Sequence, residues 1–190
     1  MASEIDLNDR QKILLLSIDA MRRNGLPMDP MSVQKMVFLV TKLMPERLKD
    51  YDNDYLPYDF GPYSELVETD VARMQDLGLL NGDLQVDSTF NEMKHEISRK
   101  DIELDEIASL VSSFKDFDRD DLVYVVYKLY PDYTVGSKIK SYVRSKKLES
   151  MSFDAEGLRK EKKLEIVTDK GRKVKVELVD GRIILSEVGR

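Results

Sequence analysis

Cysteine and tryptophan are absent from this 190-residue chain, and His95 is its single histidine. Without thiols there is no disulfide framework, no thiolate nucleophile and no Cys-ligated zinc site. One imidazole cannot supply the histidine pair of a zinc site or of a proton relay. Long hydrophobic runs are lacking too: none approaches the ~20 residues that cross a bilayer. Met1–Arg10 is polar and charged, unlike a secretory leader. The expectation is a cytoplasmic protein with no membrane segment, no metal and no cofactor.

What is present is charge, at 35% of residues against 42% hydrophobic, a globular composition with a densely charged surface. The net charge of −6 hides an asymmetry. Residues 133–190 hold 15 Lys and Arg against 9 Asp and Glu, whereas residues 1–132 hold 15 against 27. An acidic body thus carries a basic tail. The tail either meets an outside partner or docks on its own body.

Apolar periodicity places the first helix at Asp9–Arg23, stopped by Asn24-Gly25, and opens the second at Asp29-Pro30. Val33, Met36, Val37, Val40, Leu43 and Met44 keep an i, i+3, i+4 rhythm along that second helix. Tyr55–Phe60 reads as extended, and Gly61-Pro62 turns the chain into a third helix over Tyr63–Leu77, buried through Tyr63, Val67, Val71, Met74 and Leu77. Asn81-Gly82 within Leu79–Val86 predicts a hairpin, with Glu96–Ser98 as a return strand and His95 as a loop or wing residue. Further helices follow near Asp105–Phe117, from an Asp118 cap to Pro131, and over Ser137–Lys147. Leu164–Thr168, Lys173–Val179 and Arg182–Val188 alternate as strands.

The fold class expected is therefore α+β, mostly α. It comprises a winged-helix-like domain over 1–100, a helical extension packed on it over 101–150, and a linker with a three-stranded antiparallel meander over 151–190. Three short strands need something to pack on, which makes a tail-paired homodimer one outcome.

Catalytic chemistry finds no constellation. Asp50-x-Asp52-x-Asp54 starts like a calcium loop, but Tyr55 replaces the required glycine and Gly61 the bidentate glutamate. Pro131-Asp132 with Glu161-x-Lys163 imitates a nuclease signature in order alone, and neither Ser64 nor Ser137 has a base near it in sequence.

The run Leu56-Pro57-Tyr58-Asp59-Phe60-Gly61-Pro62-Tyr63-Ser64 resembles the Y-x-F-G-P-Y-S signature of the YwgA-like and SocA-like (Panacea-domain) proteins. Gln34-Lys35-Met36-Val37-Phe38-Leu39 is similar to that family's upstream helix, and Leu77-Gly78-Leu79 to the end of its next one. Leu122–Tyr133 with Ser137-Lys138-Ile139 extends the resemblance to about residues 10–140. The resemblance implies a winged-helix-like fold and a binding role, as antitoxin, transcription-linked regulator or adaptor, with no activity beyond binding. Read physically, Tyr58, Phe60, Gly61, Pro62, Tyr63 and Ser64 define the fold. Gly61 permits the turn, Pro62 starts the helix, and the three aromatics wedge the extended segment against the second and third helices.

The partner is read from the third helix. Its carboxylates Glu65, Glu68, Asp70 and Asp76 stand against one Arg73, an arrangement a phosphate backbone repels. Glu65, Glu68, Thr69, Arg73 and Asp76 are therefore the candidate surface for a protein partner, which for an antitoxin-like protein is a toxin encoded nearby. The alternative is a DNA-binding regulator that uses the wing hairpin with Lys138, Lys140, Arg144, Lys146, Lys147, Lys162 and Lys163.

Overall fold

Helix α1 (Asp9–Arg23) begins at Asn8, whose side chain accepts from the Gln11 amide at 2.9 Å while the Gln11 side chain accepts from Asn8 N at 3.3 Å. The computed structural model describes residues 5–43, 54–94, 107–115 and 117–142, the helical backbone of 95–100 and 104–106, and strands at 163–167, 173–179 and 182–187. Helix α2 (Pro30–Leu43) is capped by Asp29, which accepts from Met31 N and Ser32 N, both at 3.1 Å. It is the central helix: it lies against α1 and three later elements, and every residue from Ser32 to Thr41 is buried. A polar residue on α2 thereby becomes an interior residue, as Ser32, Gln34, Lys35 and Thr41 do.

After α2 the chain forms a tight hairpin, β1 (Leu56–Tyr58) and β2 (Gly61–Tyr63), paired antiparallel as Leu56↔Tyr63, Pro57↔Pro62 and Tyr58↔Gly61. This corrects the expectation that Gly61-Pro62 turns the chain and that Pro62 opens the helix. The turn is Asp59-Phe60, Pro62 sits in β2, and Ser64 caps helix α3 (Glu65–Asp76) by accepting from Val67 N at 3.1 Å. Two prolines opposite each other lack the N–H groups of a ladder, which limits so short a ribbon to an edge. On α3, Val67 and Met74 are buried as expected; Tyr63 and Val71 are half-buried, and Leu77 is exposed because Leu79 and Leu80 enter the core in its place.

The expected wing takes another form. Asn81 Oδ1 accepts from Asp83 N and Gln85 N, both at 2.9 Å, and the loop closes through one bridge, Leu80↔Val86. Glu96–Ser98 is no return strand: it belongs to helix α4 (Ser88–Lys100), which also places His95 on a helix rather than in a wing or loop. The physical cause is local. Asp87 accepts from Thr89 N at 3.2 Å, as a cap does, and Phe90 and Met93 recur at helical spacing, with Phe90 fully buried. Those hydrogen bonds hold the Asp87 carboxyl below its usual range.

Helix α5 (Leu104–Ser112) packs on α1 and α2, and helix α6 (Arg119–Leu129) on α2. Asp118 caps α6 reciprocally with Asp121 at 2.8 and 3.0 Å, and Leu122 to Tyr127 are buried without a break. One apolar cluster runs from Leu7 to Tyr127, with Phe38 of α2 at its aromatic centre, edge-on to Tyr55, Tyr130 and Tyr133 at 4.9–5.0 Å. A 3₁₀ turn (Pro131–Thr134) follows α6 and lies against β1 and β2. Strands β3 (Lys163–Val167), β4 (Lys173–Val179) and β5 (Arg182–Glu187) form the antiparallel meander, registered Lys163↔Glu177 and Val174↔Glu187. The chain is thus α+β and mostly α. No helix among the described residues is long and apolar enough to cross a membrane.

Candidate functional site

The motif around Gly61 divides into an inner and an outer half. Gly61, Pro62 and Ser64 are buried. Gly61 has φ +90°, and a Cβ there would lie 2.6 Å from Tyr127 Cε1, so both backbone conformation and space require glycine. From α2, the Gln34 amide brackets Ser64, donating to its carbonyl at 2.9 Å and accepting from its N–H at 3.2 Å. Lys35 Nζ donates to the Pro62 carbonyl at 2.9 Å. Ser64 Oγ, besides capping α3, donates to Asp54, whose carboxylate also accepts from Leu66 N at 3.4 Å. These buried bonds lock β2 and the start of α3 onto the central helix.

The outer half does not wedge into the core, which corrects the sequence expectation. Tyr58 is 57% exposed and Phe60 42%, and Tyr63 is half-buried. In a two-residue turn with a three-residue strand on each side, side chains alternate faces, and the core side is already occupied by Gly61, Pro62 and Tyr127. The aromatics instead border a groove of about 990 Å³ between the N-terminal half of α2, the hairpin, α3 and the 82–85 loop. Its apolar walls include Met28, Met31, Val33, Val67, Val71 and Leu84. The Tyr58 and Tyr63 rings stand 5.1 Å apart at 31°, and Tyr63 OH donates to Glu68. That hydrogen bond, with lesser help from burial and nearby carboxylates, pushes the Tyr63 hydroxyl up to about 12.

Charge around this groove is one-sided. Asp29, Glu68 and Asp83 line it, and among the described residues its single cationic lining residue is Lys35, which is only 2% exposed. Burial lowers the Lys35 amine from 10.5 to about 7, against the opposing attraction of Asp29. Pro62 O is its hydrogen-bond partner, and it forms no ion pair among the described residues.

The residues expected from sequence fall as follows. Glu65, Glu68, Thr69, Arg73 and Asp76 are all exposed on α3, and of these Glu68 also lines the groove. Asp70 leaves the acidic face: it is buried, with Arg10 Nε at 2.7 Å, Arg10 Nη2 at 3.2 Å and Gln11 Nε2 at 3.2 Å. Of the basic set, Lys140 is exposed, and Lys138 reaches the Asp59 carboxylate at 2.5 Å, which raises its pKa. Arg144, Lys146, Lys147 and Lys162 lie outside the described residues, as do Asp50 and Asp52, and Lys163 opens β3. Among the described residues no group of three or more His, Asp or Glu side chains could hold a metal ion.

Lys35 as a buried wall residue, and the groove itself, were not read from the sequence. The available signal was α2's polar set, Ser32, Gln34, Lys35 and Thr41, which sits on a helix that the flanking helices enclose. No protein-family model, no curated protein and no solved structure matches the chain.

Proposed function

We propose that this chain is a non-enzymatic binding protein, an antitoxin-like or adaptor module, that engages a protein partner through the groove and the adjoining acidic face of α3. The observation that carries this reading is the position of Tyr58 and Phe60, exposed aromatics on the rim of an apolar groove. Exposed aromatics over an apolar cleft are what the buried centre of a protein interface draws on. Glu65, Glu68, Asp76 and Asp83 make the surrounding surface acidic, which steers basic partners toward it and repels phosphate backbones. Within this reading the helix–helix–hairpin–helix order of residues 9–76 is a winged-helix-like body with a minimal wing at Leu80–Val86. The resemblance to the YwgA-like and SocA-like proteins belongs here as well, together with a cytoplasmic location and a partner encoded nearby. Two of the segments that carry it interlock through Gln34–Ser64 and Lys35–Pro62.

Partner capture with the whole chain as bait, read by mass spectrometry, tests the proposal. Paired Glu68→Lys and Asp76→Lys changes are expected to cut recovery of the partner at least tenfold while leaving thermal unfolding in place. Equal recovery removes the acidic face from the interface. Mixed-sequence duplex DNA is expected to show no mobility shift even at low salt. A salt-sensitive shift lost on Lys138→Ala and Lys140→Ala would transfer the function to the DNA-binding alternative.

A further inference from the structure

Lys35 is the residue whose chemistry the binding reading leaves unused. An ammonium has three donors, and the Pro62 carbonyl takes one. The side chain is nearly inaccessible, on a helix enclosed by others, and the nearest acidic influence on it is Asp29, which is occupied in capping α2. With one carbonyl and the helix-capping Asp29 as company, protonation of this buried amine is costly, and a carboxylate brought to it in a dry cleft offsets that cost through a charge-assisted bond. The groove that Lys35 lines is mainly apolar, and its volume of about 990 Å³ accommodates several residues of peptide. Its rim reverses the sign, with Glu68 and Asp83 exposed.

An occupant that satisfies all three zones needs one anionic group at depth, apolar bulk beside it and positive charge toward the edge. A simple apolar acid meets the first two and gains nothing from the rim. A polypeptide end meets all three. We propose that the groove captures the C-terminus of a partner polypeptide. The terminal carboxylate meets Lys35 Nζ, the last apolar side chains lie against Met31, Tyr58 and Val67, and basic residues upstream meet Glu68. Capture of a terminal carboxylate is a recurring mode of peptide recognition, usually by backbone N–H groups; here the donor would be the Lys35 ammonium, whose protonated form a bound carboxylate favours. This inference rests on the groove being the binding surface and adds what the surface selects.

The test uses the full chain, immobilised, against a mixed-sequence peptide library with free C-terminal carboxylates and the same library made as C-terminal amides, with decanoate as a competitor. The free-acid library is expected to be retained at least tenfold more than the amide library, enriched in apolar last residues with lysine or arginine upstream. Lys35→Met and Lys35→Gln are each expected to erase the acid-over-amide preference, the pair guarding against one variant that folds poorly, and Glu68→Lys to erase the basic preference alone. Equal retention of acid and amide that still depends on Tyr58 overturns carboxylate capture and leaves the groove as a protein-binding surface. Retention of neither library overturns it as well, and the partner-capture experiment then decides the broader reading independently. Displacement by decanoate at concentrations that match the peptides would assign the site to small apolar acids instead.

Discussion

Two regions of this molecule bury charge, and they treat it in opposite ways. On the α1 side, Asp19 is 1% exposed and is met by Arg22 at 3.5 Å, Arg23 at 2.8 Å and Lys94, while Asp70 is held by Arg10 and Gln11. At the groove, Lys35 is as deeply placed and has a single carbonyl. The carboxylates are saturated by partners from their own chain, which is how a folded protein tolerates interior charge. Lys35, only 2% exposed, has donor capacity beyond that one carbonyl and lies in the wall of the groove. Interior charge in the first region fixes helices to one another; in the second it meets one backbone carbonyl, with Asp29 as its charged neighbour.

The comparison breaks most visibly at Asp70. Asp70→Ala removes an acceptor that Arg10 and Gln11 share, and because Arg10 is a quarter exposed and can be met by water the cost is about 1–3 kcal/mol. Urea unfolding followed by circular dichroism is expected to show that loss, and a change under about 1 kcal/mol would mean the pair is no structural anchor. Lys35 makes stability depend on pH. Its amine titrates at about 7 in the native state and at 10.5 in the unfolded one. Between these values the unfolded chain binds the extra proton, so native stability rises with pH through this window and the contribution is lost as pH falls toward 7. Wild type is expected to gain roughly 1.4 kcal/mol per pH unit over Lys35→Met from about pH 7 to 9, as measured by urea unfolding at each pH. Buried Tyr55, whose hydroxyl is pushed well above 10.0, is common to both proteins and cancels in the difference. A flat difference would place Lys35 in an environment no drier than water. The smallest expected effect sharpens the division between scaffold and surface: Tyr58→Ala should change stability by less than about 0.5 kcal/mol, while it lowers partner recovery in the capture experiment.

The parts of this fold set by local chemistry were legible in the sequence. Helix α1 has the bounds that Asp9 and the Asn24-Gly25 stop define, Asp118 caps α6, and the meander follows the alternation of Val174, Val176 and Leu178 with charged residues. The failures arose where one local signal outweighed another. Asn81-Gly82 read as a hairpin and drew Glu96–Ser98 into a strand, although Phe90 and Met93 already stood at helical spacing behind an Asp87 cap. Asp70 read as surface because helical phase alone does not reveal that α1 brings Arg10 and Gln11 to it. The candidate site was half legible. The α3 carboxylates are exposed as read, but the groove exists only through the relative placement of α2, the hairpin and α3, which no window of sequence encodes. The sequence predicts Tyr58 and Phe60 wedged against the second and third helices, but both are exposed, and the buried Tyr127 ring is what lies against Gly61.

The Asp59 carbonyl, at the tip of the hairpin, accepts from Lys138 N at 2.8 Å and Ser137 Oγ at 3.1 Å, and Tyr127 OH meets Ser137 Oγ at 2.6 Å. The aromatic rim is therefore pinned by residues almost 80 positions downstream of it. During synthesis the hairpin leaves the ribosome long before its clasp does. A chain arrested before Ser137 carries the whole motif with its turn untied, so the hairpin reaches its final hydrogen bonding only once residues 127–138 have been made.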